Sequence, residues 1–259
     1  MIPVYVINLA RSPERRAFMA EGLARAGVAP EFVAAVDGRA CRPDRAPPAA
    51  LSRAETALIL SHRKAWRRLL ASAAEYAVVL EDDAHVGEGF AELLDADWSG
   101  LSFDAVKLES LFGRVWIARR GRPVAGRTLR RLGAEHLASA GYLVSRAGAR
   151  KFLSLTRPLA EPVDQTLFGR AAVLGRRVVV YQLDPAIVVQ DNLLPQRGAQ
   201  RGIATTLHEH DRVRMTEAAR RAKPRGLRRL AREARRLYGQ ARRIARLGWS
   251  MRFVKVEWR

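Results

Sequence analysis

The chain has one cysteine, Cys41, in 259 residues. An internal disulfide is therefore impossible, and nothing points to an oxidising compartment. No Cys/His cluster with zinc spacing exists, so a structural zinc site has no basis. No apolar run approaches 18 residues, and no transmembrane helix is expected. A Walker A loop, a G-x-S-x-G elbow and a G-x-G-x-x-G turn are all missing. P-loop chemistry, serine hydrolysis and hydride transfer are thereby unsupported. The opening "MIPVYVINLARS" lacks a basic leader, a long apolar core and a small-residue cleavage site. It reads as a first strand, not a signal peptide. A cytoplasmic location is expected.

Lysine is also scarce. Only Lys64, Lys107, Lys151, Lys223 and Lys255 occur among 46 basic residues; the other 41 are arginine. With the many alanines, this pattern partly reflects genomic base composition. The net charge of +20 would ordinarily suggest nucleic acid. The charge is concentrated, however. Residues 212–259 hold 17 Lys and Arg against 3 Asp and Glu, while the first 211 residues hold 29 against 23. Aromatic and basic residues do not interleave as on an RNA-binding platform, and no nucleic-acid partner is expected.

What is present suits one α/β domain of residues 1–211 with a basic amphipathic helical tail over 212–259. "PVYVINL" reads as a strand. Ser12 and Pro13 then read as the N-cap and first residue of a helix that Gly27 ends. "EFVAAVDG" reads as a second strand with a closing Asp37-Gly38 turn. This order predicts a mostly parallel, Rossmann-type sheet. "LSRAETALILSHRKAWRRLLASA" is the clearest helix, with a Ser52/Glu55 capping box. Strands follow at "YAVVLEDD", "DAVKLES", "LASAGYLVS", "RRVVVYQL" and "AIVVQD". Helices are expected at "FAELLDA" and, capped by Ser145, at "RAGARKFLSL". Residues 113–133 read as a hairpin or loop. In the tail, Leu227, Leu230, Ala234, Leu237, Ala241 and Ile244 recur at helical spacing among arginines. Trp249, Met251, Phe253, Val254 and Trp258 follow. Such a segment suits an anionic membrane surface, which would place the protein peripherally on the inner membrane face. A helix packed on its own domain is the alternative.

The chemistry concentrates in "VVLEDDAHV". Three carboxylates end an apolar strand. Strand alternation would put Glu81 and Asp83 on one face and Asp82 on the other. The C-terminal ends of parallel strands are where ligands bind in open α/β sheets. A divalent cation, Mg²⁺ or Mn²⁺, would relieve the repulsion and could bridge to a diphosphate; a solvated acidic turn is the alternative. Asn8, Arg11 and Arg15 end strand one and begin the next turn, a suitable place to hold a nucleotide. His62 falls on the apolar helix face beside Ser61. Lys107 interrupts a predicted strand and needs an anionic partner, such as the carboxylates of a neighbouring strand. Asp164 and Asp191 each end an extended stretch.

Taken in order, "VYVINLARSPERR", "AAVDG", "ETALILSHRKAWRRLL", "YAVVLEDDAHV", "FDAVKLES", "ASAGYLVSRAGARKFL", "EPVDQTLF" and "AIVVQD" resemble glycosyltransferase family 25. This family includes bacterial lipopolysaccharide and lipooligosaccharide glycosyltransferases and is related to collagen galactosyltransferases. The resemblance spans roughly residues 2–195. It departs in the second helix, where Ala54, Thr56, Ala57 and Leu58 replace the family's usual Gly-Glu-Ile-Gly-Cys pattern around a retained Glu55. Gln165 replaces a frequent histidine.

The resemblance implies a GT-A-like fold and transfer of a hexose, often galactose from UDP-galactose, to a cell-surface glycan acceptor, with inversion. By position it implies metal binding by Asp83 and Glu81. Donor contacts would come from Asn8, Arg11, Arg15, Asp37, Ser61, Lys107, Glu81 and Asp82. Catalytic work would fall to His62 and to a general base, Asp164 before Asp191. The acceptor would be lipid-linked. A family member that has lost catalysis and acts as a scaffold is the competing reading, and a nucleic-acid-binding protein a more distant one.

Overall fold

The computed structural model describes residues 1–41, 51–194 and 250–259. The elements in chain order are β1 (Val4–Asn8), α1 (Pro13–Arg25), β2 (Glu31–Ala34), α2 (Arg53–Ala71), β3 (Tyr76–Glu81), β4 (Ala84–Val86), α3 (Phe90–Asp95), β5 (Ala105–Lys107), β6 (Glu109–Ser110), β7 (Arg114–Ala118), β8 (Arg122–Val124), β9 (Arg127–Arg131), β10 (Gly141–Ser145), α4 (Arg146–Leu155), α5 (Val163–Phe168), α6 (Arg170–Leu174), β11 (Val180–Asp184), β12 (Val188–Gln190) and β13 (Met251–Lys255).

Eight strands form one sheet in the order β2-β1-β3-β10-β5-β11-β9-β8. β1 pairs in parallel with both β2 and β3, and β5 with β11. β10 runs antiparallel between β3 and β5, and β9 antiparallel to β11 and β8. The expected α/β architecture is therefore present, as a mixed sheet whose first three strands are parallel.

The central strands are apolar on both sides because both faces are covered. Tyr5, Ile7, Ala77 and Val79 point to one core with Trp66, Leu69 and Phe152 of α2 and α4. Val4, Val6, Val78 and Leu80 point to the other, with Phe18, Met19 and Leu23 of α1 and Phe90 and Leu93 of α3. The period of two along each strand sends alternate residues to opposite layers.

Local signals account for most element ends. The Ser52/Glu55 capping box forms in both directions, worth about 1 kcal/mol. Ser145 Oγ accepts from the Gly148 amide and caps α4. Pro13 opens α1 as expected, but Ser12 makes no side-chain cap. Residues 122–131 form the expected hairpin, with Ala125 and Gly126 both at positive φ, the two-residue turn whose twist suits a hairpin. At Gly148 a Cβ would collide with the Asp104 carbonyl oxygen, so the glycine lets α4 approach the start of β5.

The end of the chain departs from the expected helical tail. Met251–Lys255 is a strand, β13, antiparallel to β7. Val256 is buried, and Ala186 exchanges backbone hydrogen bonds with Glu257 and Arg259. Phe253 rests on Trp116, with ring centroids 5.2 Å apart. Alternating half-buried residues give this segment strand character, and the open edge of β7 supplies its partner. The helical expectation for the basic stretch from Leu227 to Ile244 lies outside the described residues. Among the described residues, no helix is long and apolar enough to cross a membrane.

Candidate active site

A cleft of ≈ 420 Å³ opens at the C-terminal ends of β1, β2 and β3, beneath the first turns of α2. Ile7 and Leu9 come from β1 and its exit, Val36 and Asp37 from the exit of β2, and Ala57 and Ser61 from α2. The β3 terminus contributes Glu81, Asp82 and Asp83. This is the crevice position expected for a ligand in such a sheet.

All three carboxylates line this one cleft, which corrects the expected split of faces. β3 ends at Glu81, and Asp82 and Asp83 form a turn before β4. Strand alternation therefore stops one residue too early to separate them. Asp82 accepts from Asn8 Nδ2 at 2.9 Å and is also bonded to Arg15. Asn8 gives its amide to Asp82 and to the Ser12 carbonyl. It is buried and orients Asp82, so its expected direct contact with a donor is not supported. Arg15 reaches Asp83 at a longer 3.9 Å.

Asp83 is the exceptional acid. Its Oδ1 is buried and has no hydrogen-bond partner among the described residues. Burial, then the charge of Glu81, outweighs Arg15 and pushes Asp83 up to about 7. Glu81 behaves oppositely. Burial would raise it, but His62, Ser139 and Lys107 hold it below the usual carboxylate range. Ser139 Oγ donates to Glu81 Oε1 at 2.7 Å. His62 Nε2 stands 3.5 Å from the same oxygen, a charge-assisted contact longer than a good hydrogen bond.

On the rim, Arg11 pairs with Asp37 at 2.9 Å. The Arg39 amide and Arg11 together keep Asp37 lower than an ordinary aspartate. Ser61 lies in the cleft wall, but its hydroxyl donates to the Ala57 carbonyl and accepts from the Val36 amide. It ties the β2 exit to α2.

Four expected residues stand elsewhere. Lys107 is fully buried and has no face on the cleft. Its ammonium donates to Glu109 at 2.6 Å and to the Leu137 and Ala138 carbonyls. The partner is thus two residues along its own chain segment, on the same side as strand alternation requires, and not a carboxylate of the next strand. Asp164 lies in the first turn of α5, outside the cleft lining, and accepts from the Ala138 and Gln165 amides. Asp191 is almost completely buried and bonded to His85 at 2.7 Å. Its amide donates to the Asp83 carbonyl at 2.9 Å, so it buttresses the acidic turn from behind. His62 is fully buried against Tyr142 and Trp66, and reaches the cleft only through Glu81. Tyr142, Ser139 and Gln190 were not legible as site residues; each has the sequence character of a strand or strand-end position.

Among the described residues, no group of three or more His, Cys, Asp and Glu side chains is arranged to hold a metal ion. The donor set that does exist is the partnerless Asp83 oxygen beside Glu81. This suits a cation held by one or two carboxylates and completed by phosphate oxygens and water.

The chain matches a family model described as "Glycosyltransferase family 25 (LPS biosynthesis protein)" over residues 1–167. It is 31% identical over 246 residues to the lacto-N-neotetraose biosynthesis glycosyltransferase LgtB of Neisseria meningitidis serogroup B, covering 85% of this chain and 86% of that protein. A putative glycosyltransferase of Haemophilus influenzae is 30% identical over 201 residues, 73% of this chain and 71% of the other. A solved glycosyltransferase involved in glycosylation of the major capsid of PBCV-1 aligns with 73% of this chain and 92% of its own, at 10% identity and a TM-score of 0.41. With the acidic cleft at the strand ends and a match over most of its length, the chain belongs to glycosyltransferase family 25 and is a glycosyltransferase.

Proposed function

We propose that the protein transfers a hexose, with galactose and UDP favoured, from a nucleotide sugar to a lipid-linked lipopolysaccharide or lipooligosaccharide acceptor, inverting the anomeric carbon. The observation that carries this reading is the buried, partnerless Asp83 oxygen in a cleft that also presents Arg11 and Arg15. Lacto-N-neotetraose biosynthesis by the LgtB relatives supports the acceptor class.

Asp83 and Glu81 would hold Mn²⁺ or Mg²⁺. When bound, the cation supplies positive charge to the diphosphate leaving group. The protein's own residues do the rest. The apolar wall of Ile7, Leu9, Val36 and Ala57 takes the nucleoside, and Arg11 lies within reach of phosphate. Arg15 and Asn8 lock Asp82, which keeps the acidic turn in one geometry. A carboxylate accepts the proton of the attacking acceptor hydroxyl. Asp164, outside the cleft lining but half-buried, is our choice for this base over Asp191, which is sealed against His85. The basic segment preceding β13 would draw the enzyme to anionic membrane, where such an acceptor resides.

A thermal-shift screen of UDP-, GDP- and CMP-sugars, with and without Mn²⁺, tests the donor. A rise with UDP-galactose and Mn²⁺ is expected. Stabilisation by another donor alone would overturn the UDP-galactose reading. Full transfer in excess chelator would overturn the metal.

A further inference from the structure

Behind the cleft, a chain of buried polar groups crosses from α2 to β10 and ends on Glu81. Trp66 Nε1 donates to the Tyr142 hydroxyl at 2.8 Å. The same hydroxyl lies 2.9 Å from His62 Nδ1, and His62 Nε2 lies 3.5 Å from Glu81 Oε1. Trp66, Tyr142 and His62 are fully buried, with Tyr142 and His62 stacked at 21°. The proton positions follow from the partners. An indole N–H can only donate, so the phenol oxygen accepts from it. Among the described residues, the phenol proton then has one hydrogen-bonded acceptor, Nδ1. Nε2 must therefore carry the imidazole proton; it makes no hydrogen bond among the described residues, and the acceptor it faces at 3.5 Å is Glu81 Oε1. The opposite tautomer would set a nitrogen lone pair against Glu81, which is repulsive in a buried site.

A second arm meets the same carboxylate. Lys107 donates to the Leu137 and Ala138 carbonyls, and Asp164 accepts from the Ala138 amide. They hold Ala138 at φ 70, a left-handed conformation that an alanine adopts only when its surroundings enforce it. The next residue is Ser139, whose hydroxyl donates to Glu81 Oε1. Both arms therefore converge on one oxygen, Oε1, of a carboxylate that lines the cleft.

We propose that Tyr142 is a positioning residue of the transfer reaction, acting with Trp66 through the His62 tautomer to aim Glu81 at the donor. Burying a tryptophan N–H, a phenol and an imidazole in a row is costly, the more so because His62 Nε2 is left without a hydrogen bond of its own beside Glu81. An apolar trio would fill the same space without that demand. The proposal rests on the reading that Glu81 serves the donor site.

The test uses the full chain with Tyr142→Phe, His62→Gln, His62→Leu and Glu81→Gln. The readouts are kcat and donor KM on UDP-galactose, thermal midpoint, and ¹⁵N shifts of the labelled His62 ring, assigned by its loss in His62→Gln. Wild-type His62 is expected to show the Nε2-protonated tautomer. Tyr142→Phe should mix the tautomers and lower kcat about tenfold, a typical cost of losing an outer-shell partner, with a smaller change in KM. His62→Gln, which keeps an N–H donor, should retain more activity than His62→Leu. Unchanged kcat and tautomer in Tyr142→Phe, with only a lower midpoint, would overturn the proposal. If Glu81→Gln is inactive while Tyr142→Phe is not, the positioning role alone fails. If Glu81→Gln is fully active, the reading of Glu81 fails and the proposal falls with it.

Discussion

Asp83→Asn is expected to stabilise the ligand-free protein while destroying its activity, and the gain should depend on pH. Asp83 titrates at about 7 in the folded protein against an ordinary 3.8. Between those values the folded state binds the extra proton, so stability falls as pH rises. The stability is fully present below the ordinary value and lost as pH rises through about 7. Each pKa unit is worth about 1.4 kcal/mol, which sets a ceiling of roughly 4 kcal/mol above neutrality. For a chain of this size that ceiling corresponds to a midpoint increase on the order of 10 °C. The neutral amide removes the repulsion from Glu81 and Asp82 but keeps the shape. Glu109 is also pushed up to about 7, by burial that its Lys107 partner does not fully offset, but it is common to both proteins and cancels in the difference. Thermal melts of wild type and variant from about pH 4.5 to about pH 8 make the measurement. The variant should melt higher at the alkaline end, with the gap closing toward acid. With UDP and Mn²⁺ the wild type alone should gain at about pH 8. A gap that is absent at about pH 8, or constant with pH, would refute the electrostatic reasoning.

Further expectations concern other groups. Lys107→Met should cost about 3–5 kcal/mol by stranding the buried Glu109, and Lys107→Met with Glu109→Gln should recover much of the loss in urea melts. Asp164→Asn should reduce kcat by about 10²–10⁴ if it is the base; near-normal transfer in that variant, with Asp191→Asn inactive, would reverse the assignment. Gly148→Ala should lower the thermal midpoint by several degrees through collision with the Asp104 carbonyl, about 1–3 kcal/mol of overpacking. Replacing Arg228, Arg229, Arg232, Arg235 and Arg236 by Gln should abolish binding to anionic vesicles in a flotation assay while turnover on a soluble acceptor persists; equal binding by both proteins would exclude the membrane role of that segment.

Much was legible in the sequence alone, and for one reason: it depended on near neighbours. The capping box at Ser52 and Glu55, the cap at Ser145, the helix start at Pro13 and the two-faced apolar strands β1 and β3 are local or periodic features. So was the place of the acidic turn, because an apolar strand that runs into three carboxylates marks the end of that strand wherever it lies in the sheet. Tertiary structure decided which partner each charge meets. Lys107 meets Glu109 beside the Leu137 and Ala138 carbonyls that the fold brings to it, and Asp191 turned to His85 because β12 pairs with β4. The last residues became a strand because β7 offered an open edge, which no helical or charge pattern in the segment records. Tyr142 and Trp66 are ordinary core residues by composition, 76 positions apart. Only the neighbouring of β10 and β3 under α2 brings them to His62 and Glu81. Periodicity determines the face on which a side chain lies; its partner across the sheet is settled by how the chain folds back.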